Sequence, residues 1–113
     1  MARSKLPAPL DRRHLLQRDL DPAKALAYAQ AYLDEGRMVE AVDFLAKAGA
    51  NDKLQELLEA ATEQGDAFLL RAVAGGLDTT PGKAVWLQLA EAADAAGKSL
   101  YAETARRQAE IED

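Results

Sequence analysis

The chain has 113 residues, a net charge of −5 and no cysteine. The absence of cysteine excludes disulfide bonds and thiolate metal sites, and no apolar stretch is long enough for a secretory signal or a membrane span. These features predict a cytoplasmic protein that is not associated with a membrane. Apolar residues make up 49% of the chain, Ala dominates them, and aromatic residues are only 5%. Because Ala is the best helix former, this composition predicts an all-α protein.

Charge is distributed unevenly along the chain. Residues 1–20 carry five basic and two acidic groups, whereas the remaining residues carry nine basic and seventeen acidic groups. Pro7 and Pro9 favour extended backbone at the start of this basic segment. Asp11 is a candidate N-cap for a short helix over residues 12–18. We therefore expect a basic, proline-containing arm at residues 1–20, followed by a folded domain at residues 21–113.

The folded domain is predicted to contain six helices joined by short turns. Asp21 followed by Pro22 is a typical helix start, and Thr79 or Thr80 before Pro81 predicts another. Single glycines end several of the helical segments, and the pair Gly75-Gly76 ends the segment at 67–74. The predicted helices span about 22–35, 37–48, 53–64, 67–74, 81–96 and 99–111. Helices joined by such short turns must lie as antiparallel neighbours.

An internal repeat appears when the chain is aligned on Gly36, Gly65 and Gly97, which are spaced by 29 and 32 residues. Small and apolar residues recur at 11, 8, 7 and 4 positions before each glycine and at 5, 9 and 12 positions after it. Arg106 is the one departure from this pattern. The repeat predicts three helical hairpins, at about 22–49, 51–77 and 80–112.

Two segments carry a resemblance to a known family. The stretch AYLDEGRMVEAVDFLAKA, at 31–48, and the stretch WLQLAEAADAAGKSLYAETARRQA, at 86–109, resemble the tetratricopeptide repeat, although the spacing is shorter than that family's usual 34 or so residues. The resemblance implies three hairpins stacked as a right-handed superhelix, with the first helix of each hairpin lining a concave face. A closed, irregular helical bundle is the alternative architecture.

No motif in the sequence predicts catalysis or a cofactor. Residues 75–84 superficially resemble a phosphate-binding loop. However, five residues instead of four separate the glycines, and Ala84 follows Lys83 where the motif requires Ser or Thr. The single histidine, His14, lies among arginines without a catalytic partner. We expect a protein that is not an enzyme and that binds neither a metal ion nor a cofactor.

The resemblance places eight candidate partner-binding residues on the concave face. They are Gln30, Leu33, Asp34, Gln55, Glu59, Glu63, Glu91 and Asp94. Because this set contains five acids and no base, it predicts a protein or peptide partner that is basic, and it disfavours nucleic acid. The alternative is a self-associating structural or regulatory domain, such as a homodimer, in which the basic arm fills the groove of its own chain or of a neighbouring copy.

Overall fold

A computed structural model describes residues 6–18 and 20–111 of the chain. The described residues form seven α-helices and no strand. The helices are α1 (Pro9–Gln17), α2 (Pro22–Asp34), α3 (Met38–Ala48), α4 (Asn51–Gln64), α5 (Ala67–Gly76), α6 (Lys83–Ala95) and α7 (Ser99–Ile111). The all-α prediction is therefore confirmed for the part of the chain that is described. The first five residues of the predicted arm, Asp19, and the end of the third predicted hairpin lie outside it.

The chain divides into two compact units, residues 1–53 and 54–113. In the first unit, α2 packs against α3, and α1 also contacts α3. Aromatic rings form the centre of this unit: the Tyr32 and Phe44 rings stack with centroids 5.7 Å apart, and Tyr28 lies 5.3 Å from Phe44. Tyr32 and Phe44 are almost completely buried.

The second unit is built mainly on small side chains. Its helices α6 and α7 pack against each other, and α5 contacts α7. Alanines on α6 and α7, among them Ala93, Ala102 and Ala105, are buried beside larger residues such as Leu70 and Leu89. The approach is so close that a Cβ atom added to Gly65 would lie 2.5 Å from the backbone N and Cα of Ala93. Small residues at these positions allow the backbones of α4 and α6 to come into contact.

The glycine ends of the helices are confirmed. Gly36, Gly49, Gly65 and Gly97 all have a positive φ, between 67° and 75°. After Gly36, the amide of Arg37 donates to the carbonyl of Tyr32 at 2.9 Å, which is the long hydrogen bond of a Schellman motif. The same five-residue bond follows each of the other three glycines. These bonds satisfy carbonyl groups that the helix ends would otherwise leave unpaired.

The end of α5 uses an aspartate in place of a glycine. The predicted glycine pair, Gly75 and Gly76, lies in the last turn of α5, and Asp78 takes the positive φ of 54°. The Thr79 amide donates to the Ala74 carbonyl at 2.9 Å, so the motif is the same as at the four glycines. Asp tolerates this conformation better than most residues because its short side chain bonds locally.

The predicted starts of three helices are wrong, and one of these is α4, which begins at Asn51 and not at residue 53. Helix α1 begins at Pro9 with Ala8 as its N-cap, not at Asp11, because the fixed φ of proline suits the first helical position. Helix α6 begins at Lys83 with Gly82 as its N-cap, not at Pro81. Residues 79–82, which follow the turn at Asp78, are not helical, so α6 begins only after them.

Most of the predicted packing positions are buried, and one of them, on α7, is exposed. Arg106 occupies a position where the repeat predicts a core residue, but its side chain is exposed and forms an ion pair with Asp94. Ala105, one residue earlier, is buried instead. The corresponding residues eight positions after the other two glycines, Phe44 and Val73, are also buried. In the described part of the chain, no helix has the length and apolar character needed to cross a lipid bilayer.

Candidate functional site

A cleft of about 260 Å³ lies between α4 and α6 in the second unit. Its α4 side carries three of the predicted partner-binding residues, Gln55, Glu59 and Glu63, which recur every four residues along one face of the helix. Leu58 and Thr62 come from the same helix, and Val85 and Gln88 come from α6. The structure thus brings together three residues that the sequence assigned to a binding surface.

The cleft combines negatively charged side chains with apolar surface. Glu59 and Glu63 are exposed, whereas Leu58 and Val85 are half-buried and present apolar surface. The Thr62 hydroxyl donates to the Leu58 carbonyl at 2.9 Å, so its hydrogen-bonding capacity is directed back to its own helix. No basic side chain lines the cleft in the described residues. It is suited to hold a positively charged group next to an aliphatic one.

The two predicted residues on α6 do not line this cleft. Glu91 is exposed, and Asp94 accepts a hydrogen bond from the guanidinium of Arg106 on α7. Val85 and Gln88 face the cleft in their place. Val85 and Gln88 each lie one residue after Ala84 and Leu87, which share a helix face with Glu91. One residue corresponds to a rotation of about 100° around the helix axis, so the face of α6 that lines the cleft differs from the face that carries Glu91.

The three predicted residues on α2 belong to the first unit. The Gln30 side-chain amide donates to the Asp34 carboxylate at 2.9 Å, so these two residues bind each other across one helical turn. Both are exposed, and Leu33 between them is half-buried. Their proposed contact with a partner stays a prediction.

A second constellation, absent from the sequence predictions, is centred on Arg12 in the first unit. The Arg12 guanidinium lies 5.6 Å from the Tyr32 ring centroid and 5.5 Å from that of Phe44. It donates to the Glu40 carbonyl at 2.9 Å and to the Asp43 carboxylate at 3.0 Å. Its Nε atom is buried without an acceptor. The contact holds α1 against α3.

Three further contacts involve residues near the Arg12 constellation. At the end of α1, the Lys47 ammonium donates to the Arg18 carbonyl at 2.8 Å. The Arg37 guanidinium binds the Glu40 carboxylate, and this hydrogen bond lowers the pKa of Glu40 and raises that of Arg37. Arg37 also lies 5.1 Å from the centroid of Tyr32. In sequence, the only signal for this cluster was the basic character of the arm.

The second unit contains a different basic–aromatic pair. The Arg71 guanidinium lies 5.8 Å from the ring centroid of Trp86, and Arg71 is exposed. Trp86 is 2% exposed, and its indole N–H is buried without an acceptor in the described part of the chain. A cleft separate from the one between α4 and α6 adjoins this pair.

Among the described residues, no three His, Asp or Glu side chains converge as metal ligands. The exposed carboxylates of the α4–α6 cleft act as hydrogen-bond acceptors and as negative charges, which is the chemistry of recognition. No protein-family model matches the chain, and no curated protein or solved structure is similar to it in the corresponding searches.

Proposed function

We propose that the chain is a helical-hairpin interaction module of tetratricopeptide-like architecture. Two features support this architecture. The helices on either side of Gly36 pack against each other, as do those on either side of Gly97. In addition, the residues 11 and 4 positions before each of the three repeat glycines are buried, from Ala25 and Tyr32 to Trp86 and Ala93.

We propose that the module binds a basic peptide or protein segment and catalyses no reaction. The observation that carries this proposal is the cleft between α4 and α6, where Glu59 and Glu63 border apolar surface and no described basic residue lines the cleft beside them. A Lys or Arg side chain would pair with these carboxylates, while an adjacent Leu or Ile of the partner would cover Leu58 and Val85. Charge directs the encounter, and burial of the apolar side chains adds affinity.

The proposal is tested by titrating a fluorescent peptide with alternating Lys and Leu residues, using fluorescence anisotropy as the readout. A double variant, Glu59→Gln with Glu63→Gln, removes both carboxylates from the cleft and keeps the shape of the side chains. We expect this variant to bind about tenfold more weakly, since two exposed ion pairs contribute about 1.4 kcal/mol together.

The matched control is the double variant Glu56→Gln with Glu103→Gln. Both residues are exposed and neither lines the cleft, so the control has the same net charge as the test variant. We expect the control to bind within about twofold of the unmodified protein. Equal losses in the two double variants would show that only overall charge attracts the peptide, and the cleft would lose its assigned role.

Self-association is the second candidate function, and the surface of α7 favours it. Leu100 and Ile111 are 78% and 70% exposed, and Tyr101 beside Leu100 is also exposed. Exposed apolar side chains of this size are typical of contact surfaces. Light scattering measures this directly. A dimer whose mass falls to that of the monomer in Leu100→Ser would support self-association, whereas a monomer at every concentration would exclude it.

A further inference from the structure

A second cleft, distinct from the acidic one, lies beside the single tryptophan of the chain. It has a volume of about 260 Å³ and is bordered by α5, the loop that follows it, α6 and α7. Its polar lining residues are Arg71, Thr79, Thr80, Trp86 and Gln108. None of the side chains that line it is acidic, so its character is opposite to that of the α4–α6 cleft.

Trp86 lines this cleft, and its indole N–H has no hydrogen-bond partner among the described residues. The indole N–H can only donate, and it is buried. A buried donor without a partner is unfavourable, and native proteins rarely leave one unexplained. The group that satisfies it must carry an oxygen or nitrogen lone pair.

Arg71 adds a positive charge whose donors are not used by the protein. Its guanidinium lies against the Trp86 ring and forms no ion pair within the described part of the chain. A guanidinium presents parallel N–H groups that match the two oxygens of a carboxylate or phosphate. Its stacking on the indole holds it at the border of the cleft.

The rest of the lining adds further donors. Thr79 and Thr80 contribute hydroxyl groups, and Gln108 contributes an amide. The backbone amide of Thr79 is already bonded to Ala74, so at this residue it is the hydroxyl group that is offered to a ligand. Lys83 does not line the cleft, which separates this arrangement from a nucleotide-binding loop.

We propose that this cleft, defined by Arg71, Thr79, Thr80, Trp86 and Gln108, binds the oxyanion group of a small molecule, either a phosphate or a carboxylate. The charge of Arg71 selects an anion, and the surrounding donors hydrogen-bond its oxygens. The volume of about 260 Å³ is large enough for such a group. This site is independent of the peptide-binding function proposed for the α4–α6 cleft, with which it shares no lining residue.

Trp86 makes the experiment direct, because it is the only tryptophan in the chain. Inorganic phosphate and succinate are titrated separately while the emission of Trp86 is recorded, with sodium chloride used to keep the ionic strength constant. We expect a saturable change in emission, with half-saturation on the order of 1 mM for the preferred anion. Phosphate and succinate distinguish the two kinds of oxyanion. A response that is linear for both, or equal to that of chloride, overturns the proposal.

Substitutions then assign the response to the cleft. Arg71→Gln is expected to abolish saturation, whereas Arg107→Gln, which changes the net charge equally at an exposed position outside the cleft, is expected to retain it. Arg71→Lys keeps the charge and much of the side-chain length, and we expect about tenfold weaker binding because the paired donors are lost. If Arg71→Gln fails to fold, Arg71→Lys decides: affinity equal to that of the unmodified protein overturns the role of Arg71.

Discussion

The two units each place an arginine over a buried aromatic ring, but they complete the arrangement differently. Arg12 of the first unit lies over Tyr32 and Phe44 and donates to an acceptor on each of Glu40 and Asp43. Arg71 of the second unit lies over Trp86 and has no carboxylate partner in the described chain. One basic–aromatic contact therefore joins two helices, whereas we propose that the other offers its donors to a ligand. Substitutions in the two units separate these roles.

The largest effect is expected from Gly65→Ala, which disrupts the second unit. A Cβ atom there would overlap the backbone of Ala93, and the positive φ adds strain of about 1–2 kcal/mol. Separation of the helices adds a packing loss of about 1–3 kcal/mol. Urea denaturation is expected to show a sharp loss of stability and, with it, loss of the anion response of Trp86.

The matched control for this change is Gly36→Ala in the first unit. It has the same left-handed backbone, but nothing lies within 4 Å of the added Cβ. We expect it to be destabilised by the backbone strain alone, about 1–2 kcal/mol. Equal destabilisation in the two variants would contradict the close contact between α4 and α6.

The next largest effect is expected from Arg12→Ala. The substitution removes two hydrogen bonds and a contact with two aromatic rings, so we expect a loss of about 1–2 kcal/mol in the free energy of unfolding. Arg13→Ala is the control, because the Arg13 side chain is exposed. Chemical denaturation followed by circular dichroism measures both. A loss no larger for Arg12 than for Arg13 would mean that α1 is not held through this residue.

A smaller effect is expected from Arg71→Ala. An exposed cation–aromatic contact contributes about 0.5–1 kcal/mol, and no ion pair is lost with it. The variant should therefore remain close to the unmodified protein in stability while losing its affinity for anions. If stability fell as far as in Arg12→Ala, Arg71 would have a structural role like that of Arg12, and the contrast between the two units would fail.

The smallest effect concerns pH and Glu40. The hydrogen bond from Arg37 lowers the pKa of Glu40 in the folded state, so the unfolded chain binds more protons as the pH falls towards that range. The stabilisation is complete above the unfolded pKa and is lost as the pH falls through the folded pKa. Glu40→Gln should reduce the acid sensitivity of stability slightly, and Glu56→Gln, an exposed control, should not. Identical pH profiles for the two variants would contradict the Glu40 assignment.

The sequence was sufficient to predict features that depend on neighbouring residues. A proline after Asp21 and glycines at the helix ends act within one turn, and the structure has the expected start at Pro22 and positive φ at Gly36 and Gly97. Three residues of the acidic cleft share a helix face because they are four residues apart, and the tetratricopeptide resemblance assigns them to a binding surface. These are local properties that a single sequence contains.

Features set by contacts between helices were beyond prediction. The positive φ of Asp78 was missed because aspartate occupies that conformation only where the surrounding chain requires it. Arg12 could not be assigned because its acceptors lie 28 and 31 residues away. The pairing of Arg106 with Asp94 likewise depends on how α6 and α7 meet, which no local pattern encodes.

Amide chemical-shift mapping tests most directly whether the acidic cleft is a site for a basic peptide. With the Lys–Leu peptide added to labelled protein, we predict the largest shifts at residues 55–63 and 85–88, with small changes at Arg71, Thr79 and Thr80. Shifts concentrated on α7 at Leu100 and Tyr101, or spread evenly over all acidic residues, would contradict the assignment of the cleft.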